Sequence, residues 1–251
     1  MYRIAGRKVL NPSMIQLEVE APLVARKAKP GQFIILRVNE EGERIPLTVA
    51  GTDPAAGTVK IIFQVVGATT ELLKYKMEGD FLQDFAGPLG LPTHTEGIRS
   101  VCVVGGGAGC AIAMPGAEEF HRLGAEVTSI IGFRNKDLLI LEDEFRSFSD
   151  ELVVMTDDGS YGRHGNVTAP LKEMLEAMKV PMLMLEGYEA DDLIGTISRK
   201  AQEQGMEVRI LSGDRDMLQL ASDHICVRMP KTRQGKTEVE DYFARDVLER
   251  Y

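Results

Sequence analysis

The sequence predicts an antiparallel β-barrel or sandwich followed by a doubly wound parallel α/β sheet. From Met14 to Val66, apolar residues recur with a period near two in runs rich in β-branched residues. From about Ser100 onward, short apolar runs alternate with helical patterns, which is typical of a parallel sheet with crossover helices. A chain of 251 residues, of which 44% are hydrophobic, can bury the cores of one large or two moderate domains.

The first region, residues 1–97, is a set of predicted strands. The runs "MIQLEVEAP", "QFIILRVN" and "TVKIIFQVV" are separated by Pro, Gly and Asn, which break strands. They favour a small antiparallel barrel or sandwich. A connection rich in Gly and Pro, "GPLGLPTHTEGIRS", ends the region.

The second region, residues 98–168, alternates strands with helices. Strands are predicted at "SVCVVGGG", "EVTSIIGF" and "ELVVMTDDG", and helices at "AIAMPGAEEFHRLG", "LEDEFRSF" and "APLKEMLEAMK". The third region, residues 169–251, continues with a strand at "VPMLML", a helix from about Ala190 to Gln204, a strand at "EVRILSGD", a short helix at "DMLQLAS" and a basic loop, "RMPKTRQGK". We expect Pro181 to Leu185 to join the sheet begun by Val101 to Val104, because both are buried strands of the same direction.

Charge and cysteine content narrow the possible partners. The net charge of −9 and the pI of about 5.1 argue against broad electrostatic capture of nucleic acid or of an anionic membrane. The cysteines, Cys102, Cys110 and Cys226, form no C-x-x-C pair and are interpreted as buried thiols. Because the chain contains neither a long apolar run nor a recognisable signal peptide, we expect a cytoplasmic protein without membrane partners.

Glycines between a predicted strand and helix indicate a nucleotide site. In "VCVVGGGAGCAIA", the glycines at positions 105, 106, 107 and 109 let backbone N–H groups approach a pyrophosphate at the helix N-terminus. Tight packing of the helix on the strand is the alternative interpretation. "TDDGS", which contains Asp158 and Gly159, ends the third predicted strand of this region, at the sheet edge where ligands bind in such folds. The alternative interpretation is a simple Asp-Gly turn.

The motif order of residues 1–168 resembles the ferredoxin–NADP reductase superfamily. "RIPLT", "GPLG", "GGGAGCAIA", "GFRNKDLLILEDE" and "TDDGS" occur in the order and spacing of two members: the electron-transfer subunits of dihydroorotate dehydrogenase, and the small subunit of NADH-dependent ferredoxin–NADP oxidoreductase of the sulfide dehydrogenase type. The resemblance implies an FAD-binding barrel and a truncated NAD(P)-binding α/β domain. It also implies an oxidoreductase that passes a hydride between NAD(P)H and FAD and electrons on to a larger flavoprotein or iron–sulfur partner subunit.

The resemblance also implies which residues contact these cofactors. The flavin ring and its phosphate side would be contacted by Arg44, Pro46, Leu47 and Thr48; the FAD pyrophosphate by Gly67, Thr69 and Thr70; and the nicotinamide dinucleotide by Gly105, Gly106, Gly107, Gly109, Arg134, Asp158 and Gly159, with Lys136 close by. Arg44 and Arg134 are otherwise interpreted as solvated charges. NADH and NADPH remain equally open, and no catalytic acid or base is named because the flavin performs the redox chemistry. The family's cysteine-rich tail is not found, so no iron–sulfur cluster is expected.

From about Pro170, the chain resembles the 5′-nuclease domain of bacterial DNA polymerase I. The matching text begins "PLKEMLEAMKVPMLMLEGYEADDLIGT" and continues through "LSGDRDMLQLASD" to the end. In that family, acids at strand ends bind two divalent ions, and the matching positions are Glu189, Asp191, Asp192, Asp214 and Asp216. Magnesium or manganese suits such oxygen ligands. The alternative is that Asp191 and Asp192 cap a helix.

Several parts of the nuclease pattern are missing from the chain. It has neither the first-strand aspartate, nor an arch rich in Lys and Arg, nor the later acid pair, so DNA cleavage is not expected. A basic stretch of Arg228, Lys231, Arg233 and Lys236 could contact nucleic-acid phosphates or could simply be solvated. The sequence therefore predicts a chimera of two partial families. A flavoprotein oxidoreductase is the first hypothesis; a nuclease fragment or an inactive fusion is the alternative.

Overall fold

The chain folds into two compact units, Met1–Met178 and Lys179–Tyr251. The computed structural model describes residues 1–183, 185, 187–233 and 236–250, and of residues 231–233, 236–238 and 250 it describes the backbone only. None of the helices within these ranges is long and apolar enough to cross a membrane.

The front of the first unit is a nearly closed antiparallel barrel, as predicted. Its strands are β1 (Tyr2–Asn11), β2 (Met14–Glu20), β3 (Phe33–Arg37), β4 (Ile45–Asp53), β5 (Thr58–Gln64), β6 (Phe81–Leu82) and β7 (Asp84–Leu89), with short helices α1 (Pro22–Ala25) and α2 (Ala68–Lys74). The strand order is β6-β1-β2-β5-β4-β3-β7. β6 and β7 are the two outermost strands in this order, and only Gln83 separates them along the chain. The Gln83 N–H donates to the Arg37 carbonyl at 3.0 Å, so the two edges of the sheet come together at this residue.

The period of two is the physical origin of this barrel. Alternate residues such as Leu17, Ile34 and Ile61 are fully buried inside it, while their neighbours lie on the other face of the sheet, where Ile62 packs in a second buried cluster. The sequence pattern marked β2, β3 and β5 clearly. It did not mark β1 or β7, in which polar residues and glycine interrupt the alternation, or β6, which is only two residues long.

The second half of the first unit is a four-stranded parallel sheet. It contains β8 (Ser100–Gly106), α3 (Gly109–Arg122), β9 (Glu126–Phe133), a 3-10 turn (Lys136–Leu138), α4 (Glu142–Phe148), β10 (Glu151–Thr156), β11 (Arg163–His164) and α5 (Thr168–Ala177). The order is β11-β10-β9-β8, and every pair is parallel. The predicted alternation of strands and helices is therefore confirmed up to α5. Buried Cys110, Met114 and Ala117 of α3 pack in the same cluster as Val127 and Ile131 of β9.

The second unit has a separate three-stranded sheet. Its elements are α6 (Ala190–Glu203), β12 (Val208–Leu211), a 3-10 turn (Arg215–Leu220), β13 (Ile225–Arg233), β14 (Lys236–Tyr242) and α7 (Ala244–Arg250). The order is β12-β13-β14, parallel and then antiparallel. The stretch predicted to be a basic loop is in fact a hairpin of β13 and β14, whose residues Gln234 and Gly235 lie outside the described residues.

The predicted completion of the front sheet by "VPMLML" is wrong for the residues that the structure describes. Val180 to Leu183 and Leu185 belong to no strand, and Met184 lies outside the described residues. The physical reason is that β11 already occupies the edge beside β10, through Met155–Arg163 and Thr156–His164 pairing. The side chains of Leu183 and Leu185 are exposed rather than buried.

Candidate functional site

The glycine-rich turn between β8 and α3 contains two kinds of glycine. A Cβ on Gly105 would stand 2.9 Å from the Cα of Cys110, so this position allows the helix to approach the strand. A Cβ on Gly106, Gly107 or Gly109 would meet nothing within 4 Å. Gly107 also has a φ of +51° and donates its N–H to the Gly132 carbonyl at 2.8 Å. Close packing thus explains Gly105, whereas the other three leave backbone facing open space.

A cavity of about 650 Å³, here called the turn cavity, opens in front of these glycines. It is bordered on the barrel side by the β1–β2 hairpin and the end of β5, and on the other side by the carboxyl edge of the parallel sheet. Its lining residues are Asn11, Ser13, Met14, Gln64, Gly106, Gly107, Ala108, Gly132, Phe133, Arg134, Leu138, Ile140, Asp157, Asn166 and Val167.

Of the residues predicted for the dinucleotide, Gly106, Gly107 and Arg134 line this cavity. Asp158 and Gly159 shape the adjacent turn instead. The Asp158 carboxylate accepts the Ser160 N–H at 2.9 Å; hydrogen bonding by the Ser160 side chain, and then by its backbone, lowers the pKa of Asp158 below its ordinary value. Of the two neighbouring acids, Asp157 is the one that lines the turn cavity. Its N–H donates to the Phe133 carbonyl at 3.0 Å, and this hydrogen bond holds it next to Arg134.

The loops after β9 and β10 are tied together at this edge. The Lys136 N–H donates to the Ser160 hydroxyl at 2.8 Å, and the Lys136 ammonium lies 5.4 Å from the centre of the Tyr161 ring. The Tyr161 hydroxyl donates to Glu142 at 3.0 Å, and that carboxylate raises the pKa of Tyr161. Lys136 therefore braces the edge of the site and does not line the turn cavity.

A second cavity, here called the barrel cavity, has a volume of about 360 Å³ and a largely apolar wall. Its lining residues are Ile45, Pro46, Leu47, Thr48, Ile62, Phe63, Gln64, Val66, Thr70, Ala108, Ala111 and Ile112. The predicted residues Pro46, Leu47, Thr48 and Thr70 are among them. Gln64 and Ala108 line both cavities, so the two cavities adjoin.

The other predicted flavin residues lie outside the wall of the barrel cavity. Arg44 is exposed, and its guanidinium is 3.3 Å from the Asp84 carboxylate, which agrees with the alternative interpretation of Arg44 as a solvated charge. Gly67 precedes α2, and its N–H donates to the Thr70 hydroxyl at 3.0 Å, while that hydroxyl donates to the Gly67 carbonyl at 2.9 Å. Thr69 is buried. The Thr70 hydroxyl thus organises the turn that begins α2.

Sequence reasoning missed much of both walls. Asn11, Gln64 and Asp157 carry polar groups into the turn cavity, and Ile112 and Val66 border the barrel cavity. Motif spacing contains no signal for Asn11 or Gln64, because they reach the site through the pairing of distant strands. Asp157 could have been chosen within "TDDGS" as the residue that directly follows the strand.

The predicted metal ligands lie at two helix starts in the second unit. Glu189 is the N-cap of α6, and its N–H donates to the Asp192 carboxylate at 3.3 Å. Asp214 caps the 3-10 turn by accepting the Asp216 N–H at 2.9 Å. Across the described part of the chain, no group of three or more His, Cys, Asp or Glu side chains could hold a metal ion. The structure thus gives Glu189, Asp192 and Asp214 helix-capping roles, and metal binding by the five acids stays a prediction.

All three thiols have raised pKa values. Burial raises the pKa of Cys110 to about 12. Burial, reinforced by a nearby carboxylate, also raises the pKa values of Cys102 and Cys226. The prediction of buried thiols is confirmed for Cys110 and Cys226, while Cys102 is half-buried.

Comparison with solved structures defines the class of the fold. A structure of the NADH-dependent reduced ferredoxin–NADP oxidoreductase, described in connection with flavin-based electron bifurcation, is similar with a TM-score of 0.66 and 30% identity; the match covers 94% of this chain and 79% of that chain. The protein therefore has the ferredoxin–NADP reductase-like fold, in which a nearly closed barrel precedes a parallel sheet.

Comparison with curated sequences defines the family. A dihydroorotate dehydrogenase B (NAD(+)) electron transfer subunit homolog of Thermotoga maritima is 45% identical over 190 residues, which cover 76% of this chain and 66% of that protein. The electron transfer subunit of dihydroorotate dehydrogenase B (NAD(+)) of Streptococcus pneumoniae is 31% identical over 177 residues, with 68% of each covered. The chain belongs to the family of dihydroorotate dehydrogenase B electron transfer subunits. It spans slightly less than two thirds of the Thermotoga protein.

The end of the chain matches a second family. Residues 165–251 match the model of the 5′-3′ exonuclease N-terminal resolvase-like domain. DNA polymerase I of Bacillus caldotenax is 47% identical over 81 residues, which are 32% of this chain and 9% of that protein. Both predicted resemblances are thereby confirmed, and the chain joins sequences similar to two unrelated families.

Proposed function

We propose that this chain is a flavoprotein electron-transfer subunit that takes a hydride from NAD(P)H onto FAD and passes the electrons to a larger flavoprotein or iron–sulfur partner. One observation carries the proposal: the barrel cavity and the turn cavity adjoin at Gln64 and Ala108. A ring held in one cavity can therefore meet a ring held in the other. The family membership supports the same activity.

The barrel cavity fits the flavin ring. Its wall is mainly apolar, as an aromatic ring system requires, and Thr48, Gln64 and Thr70 add polar atoms at its border. We assign the ring to Pro46, Leu47 and Thr48, and the FAD phosphates to the turn of Gly67, Thr69 and Thr70. Because the Thr70 hydroxyl and the Gly67 N–H are engaged with each other, the backbone N–H groups of Thr69 and Thr70 are the proposed phosphate donors. Arg44 would reach a phosphate only by leaving Asp84.

The turn cavity fits a dinucleotide. Open space in front of Gly106, Gly107 and Gly109 lets a pyrophosphate approach the backbone at the start of α3, a helix of 14 residues. Arg134 offers a positive charge at the end of β9, and Asp157, Asp158 and Gly159 form the turn beside it. Both NADH and NADPH are compatible with this mixture of charges.

The protein's contribution is orientation and exclusion of water. Bound FAD supplies the redox chemistry, so no side chain has to act as an acid or a base. Apolar residues such as Leu47, Ile62 and Ala111 keep water from the face of the barrel cavity. The two walls would set the separation of the bound rings, and holding two reactants in a productive geometry lowers the barrier to their reaction.

Flavin reconstitution tests the proposal. We expect the purified chain to bind FAD and to lose its flavin absorbance when NADH or NADPH is added without oxygen. Ile112 lines the barrel cavity and is 57% exposed, so Ile112→Arg should weaken FAD binding at least about tenfold without unfolding α3. Leu123→Arg, at a similarly exposed position directly after α3, is the matched control and should bind FAD normally. A colourless chain that takes up no FAD rejects the proposal.

A second candidate is a nucleic-acid enzyme fragment of the 5′-3′ exonuclease type. The match of residues 165–251 to that family is the observation in its favour. Magnesium bound by Glu189, Asp191, Asp192, Asp214 and Asp216 would be its cofactor, and nucleic acid its partner. Magnesium-dependent cleavage of a 5′-flap DNA, lost in Asp214→Ala and kept in Asp223→Ala, would establish this activity. No cleavage by the unmodified chain would remove the candidate.

A further inference from the structure

One buried side chain joins the barrel to the nucleotide-binding half. Asn11 ends β1 and is 8% exposed. Its Nδ2 donates to the carbonyl of Leu138 at 2.9 Å, across 127 positions of sequence. Its Oδ1 accepts the N–H of Ser13 at 2.9 Å and the hydroxyl of Ser13 at 3.2 Å. Within residues 1–178, all of which the structure describes, this is the only side-chain hydrogen bond between residues 1–97 and residues 98–178.

The accepting carbonyl belongs to a wall of the turn cavity. Leu138 ends the 3-10 turn that follows β9, and both Leu138 and Arg134 line the cavity. The turn is braced internally, because Asn135 Oδ1 accepts the Leu138 N–H at 3.2 Å. Ser160 holds the opposite end through the Lys136 N–H. Asn11 therefore connects the barrel to a segment that hydrogen bonds within the parallel-sheet half already hold in place.

We propose that Asn11 is a positioning residue that sets the separation of the two cofactors by tying the β1–β2 hairpin to the Lys136–Leu138 turn. The inference rests on the proposed function. A flavin would be held by the barrel and a dinucleotide by the parallel sheet, so the distance between their rings depends on how the two halves are held together. The apolar contacts between these halves are non-directional, whereas a buried hydrogen bond specifies one geometry.

The first test needs no cofactor. Asn11→Ala removes the donor, and Asn11→Asp removes it while keeping the acceptor for Ser13. In both variants we expect amide hydrogen exchange at Leu138 and Leu139 to become about fivefold faster, as the loss of one hydrogen bond predicts. The core amides of Leu17 and Ile61 should exchange as before. Unchanged exchange at Leu138 and Leu139, or an equal increase throughout the unit, overturns the proposal.

The second test follows flavin reduction in the FAD-loaded chain. Asn11→Ala should keep full FAD content and lose about tenfold to hundredfold in the rate of flavin reduction at saturating NADH, because a displacement of about 1 Å has an effect of that size. Asn39→Ala and Asn39→Asp are the controls, since Asn39 is exposed and lines neither cavity. A wild-type reduction rate in Asn11→Ala, or loss of its FAD, overturns the positioning role. If the unmodified chain binds no FAD, the proposed function fails by itself, and the exchange experiment still decides whether Asn11 joins the two halves.

Discussion

Individual residues in a motif can have unlike roles, and the glycine-rich turn is an example. "GGGAG" was predicted as a phosphate-binding turn, with close packing as the alternative. Close packing holds for Gly105, which faces the Cys110 backbone, while Gly106, Gly107 and Gly109 face open space. The motif could be predicted from the sequence, but the division of roles could not, because it depends on the approach of α3 to β8.

The two kinds of glycine should respond differently to a methyl group. Gly105→Ala forces the Cys110 backbone to move, so we expect it to lower the free energy of unfolding by about 1–3 kcal/mol. Gly106→Ala should change that free energy by less than about 0.5 kcal/mol. Urea unfolding followed by circular dichroism measures both. Equal losses in the two variants would contradict the assignment of Gly105 to packing.

His224 provides a test of local electrostatics in the second unit. Its Nδ1 lies 2.8 Å from the Glu207 carboxylate, and this hydrogen bond, with a smaller contribution from Asp223, raises the pKa of His224 above 6.5. The pair therefore stabilises the fold fully below pH 6.5, and this stabilisation is lost as the pH rises through the folded-state pKa. We expect Glu207→Gln to return the NMR titration midpoint of His224 toward 6.5, and Asp223→Asn to lower it less. An unshifted midpoint in Glu207→Gln would refute the pairing.

Among the elements, β9 and β10 show that polar contacts fix the residue at which a predicted strand begins. Asp150 precedes β10; its N–H donates to the Val127 carbonyl at 2.8 Å, and its carboxylate accepts the Val127 N–H at 2.7 Å. The hydroxyl of Ser149 donates to the fully buried hydroxyl of Ser129 at 2.7 Å. Apolar periodicity predicted both strands, but it contains no information on these polar ties between them.

Removal of the Asp150 carboxylate should weaken the sheet. Val127 is fully buried, so Asp150→Ala leaves its N–H without an acceptor and should cost about 1–3 kcal/mol of unfolding free energy. Asp150→Asn keeps an acceptor oxygen and should cost less than half as much. Denaturant titration compares the two. A loss in Asp150→Asn as large as in Asp150→Ala would show that the charge, rather than the accepted hydrogen bond, is what matters.

For the molecule as a whole, the division into two units is the main departure from expectation. The chain was predicted to form one sheet through "VPMLML", yet β12, β13 and β14 form their own sheet around Ile210, Ile225 and Val227. The prediction took its partner strands from the front sheet. In the structure, the β13–β14 hairpin, which is close in sequence, supplies the partner strand of β12. The described part of residues 179–189 contains neither helix nor strand.

Limited proteolysis should therefore separate the units. Lys179 is exposed and Tyr188 is 63% exposed, so we expect the first cuts by trypsin at Lys179 and by chymotrypsin at Tyr188. The expected early product is an intact fragment that ends near Met178, identified by mass spectrometry. After this first cut, the rate at which the second unit is digested should not exceed the rate at which it unfolds. First cuts inside residues 1–178 would contradict this division.

The sequence by itself determined strands β2, β3 and β5 of the barrel, the parallel strands and the position of the glycine-rich turn, because these depend on local periodicity and on residues without side chains. It also determined both family resemblances. Only the tertiary structure decided which strand takes the edge beside β10, that the carboxylates of the second unit cap helices, and that Asn11 and Gln64 reach the turn cavity. Those outcomes depend on strand pairing and on contacts between residues far apart in sequence, and neither is encoded in a short motif.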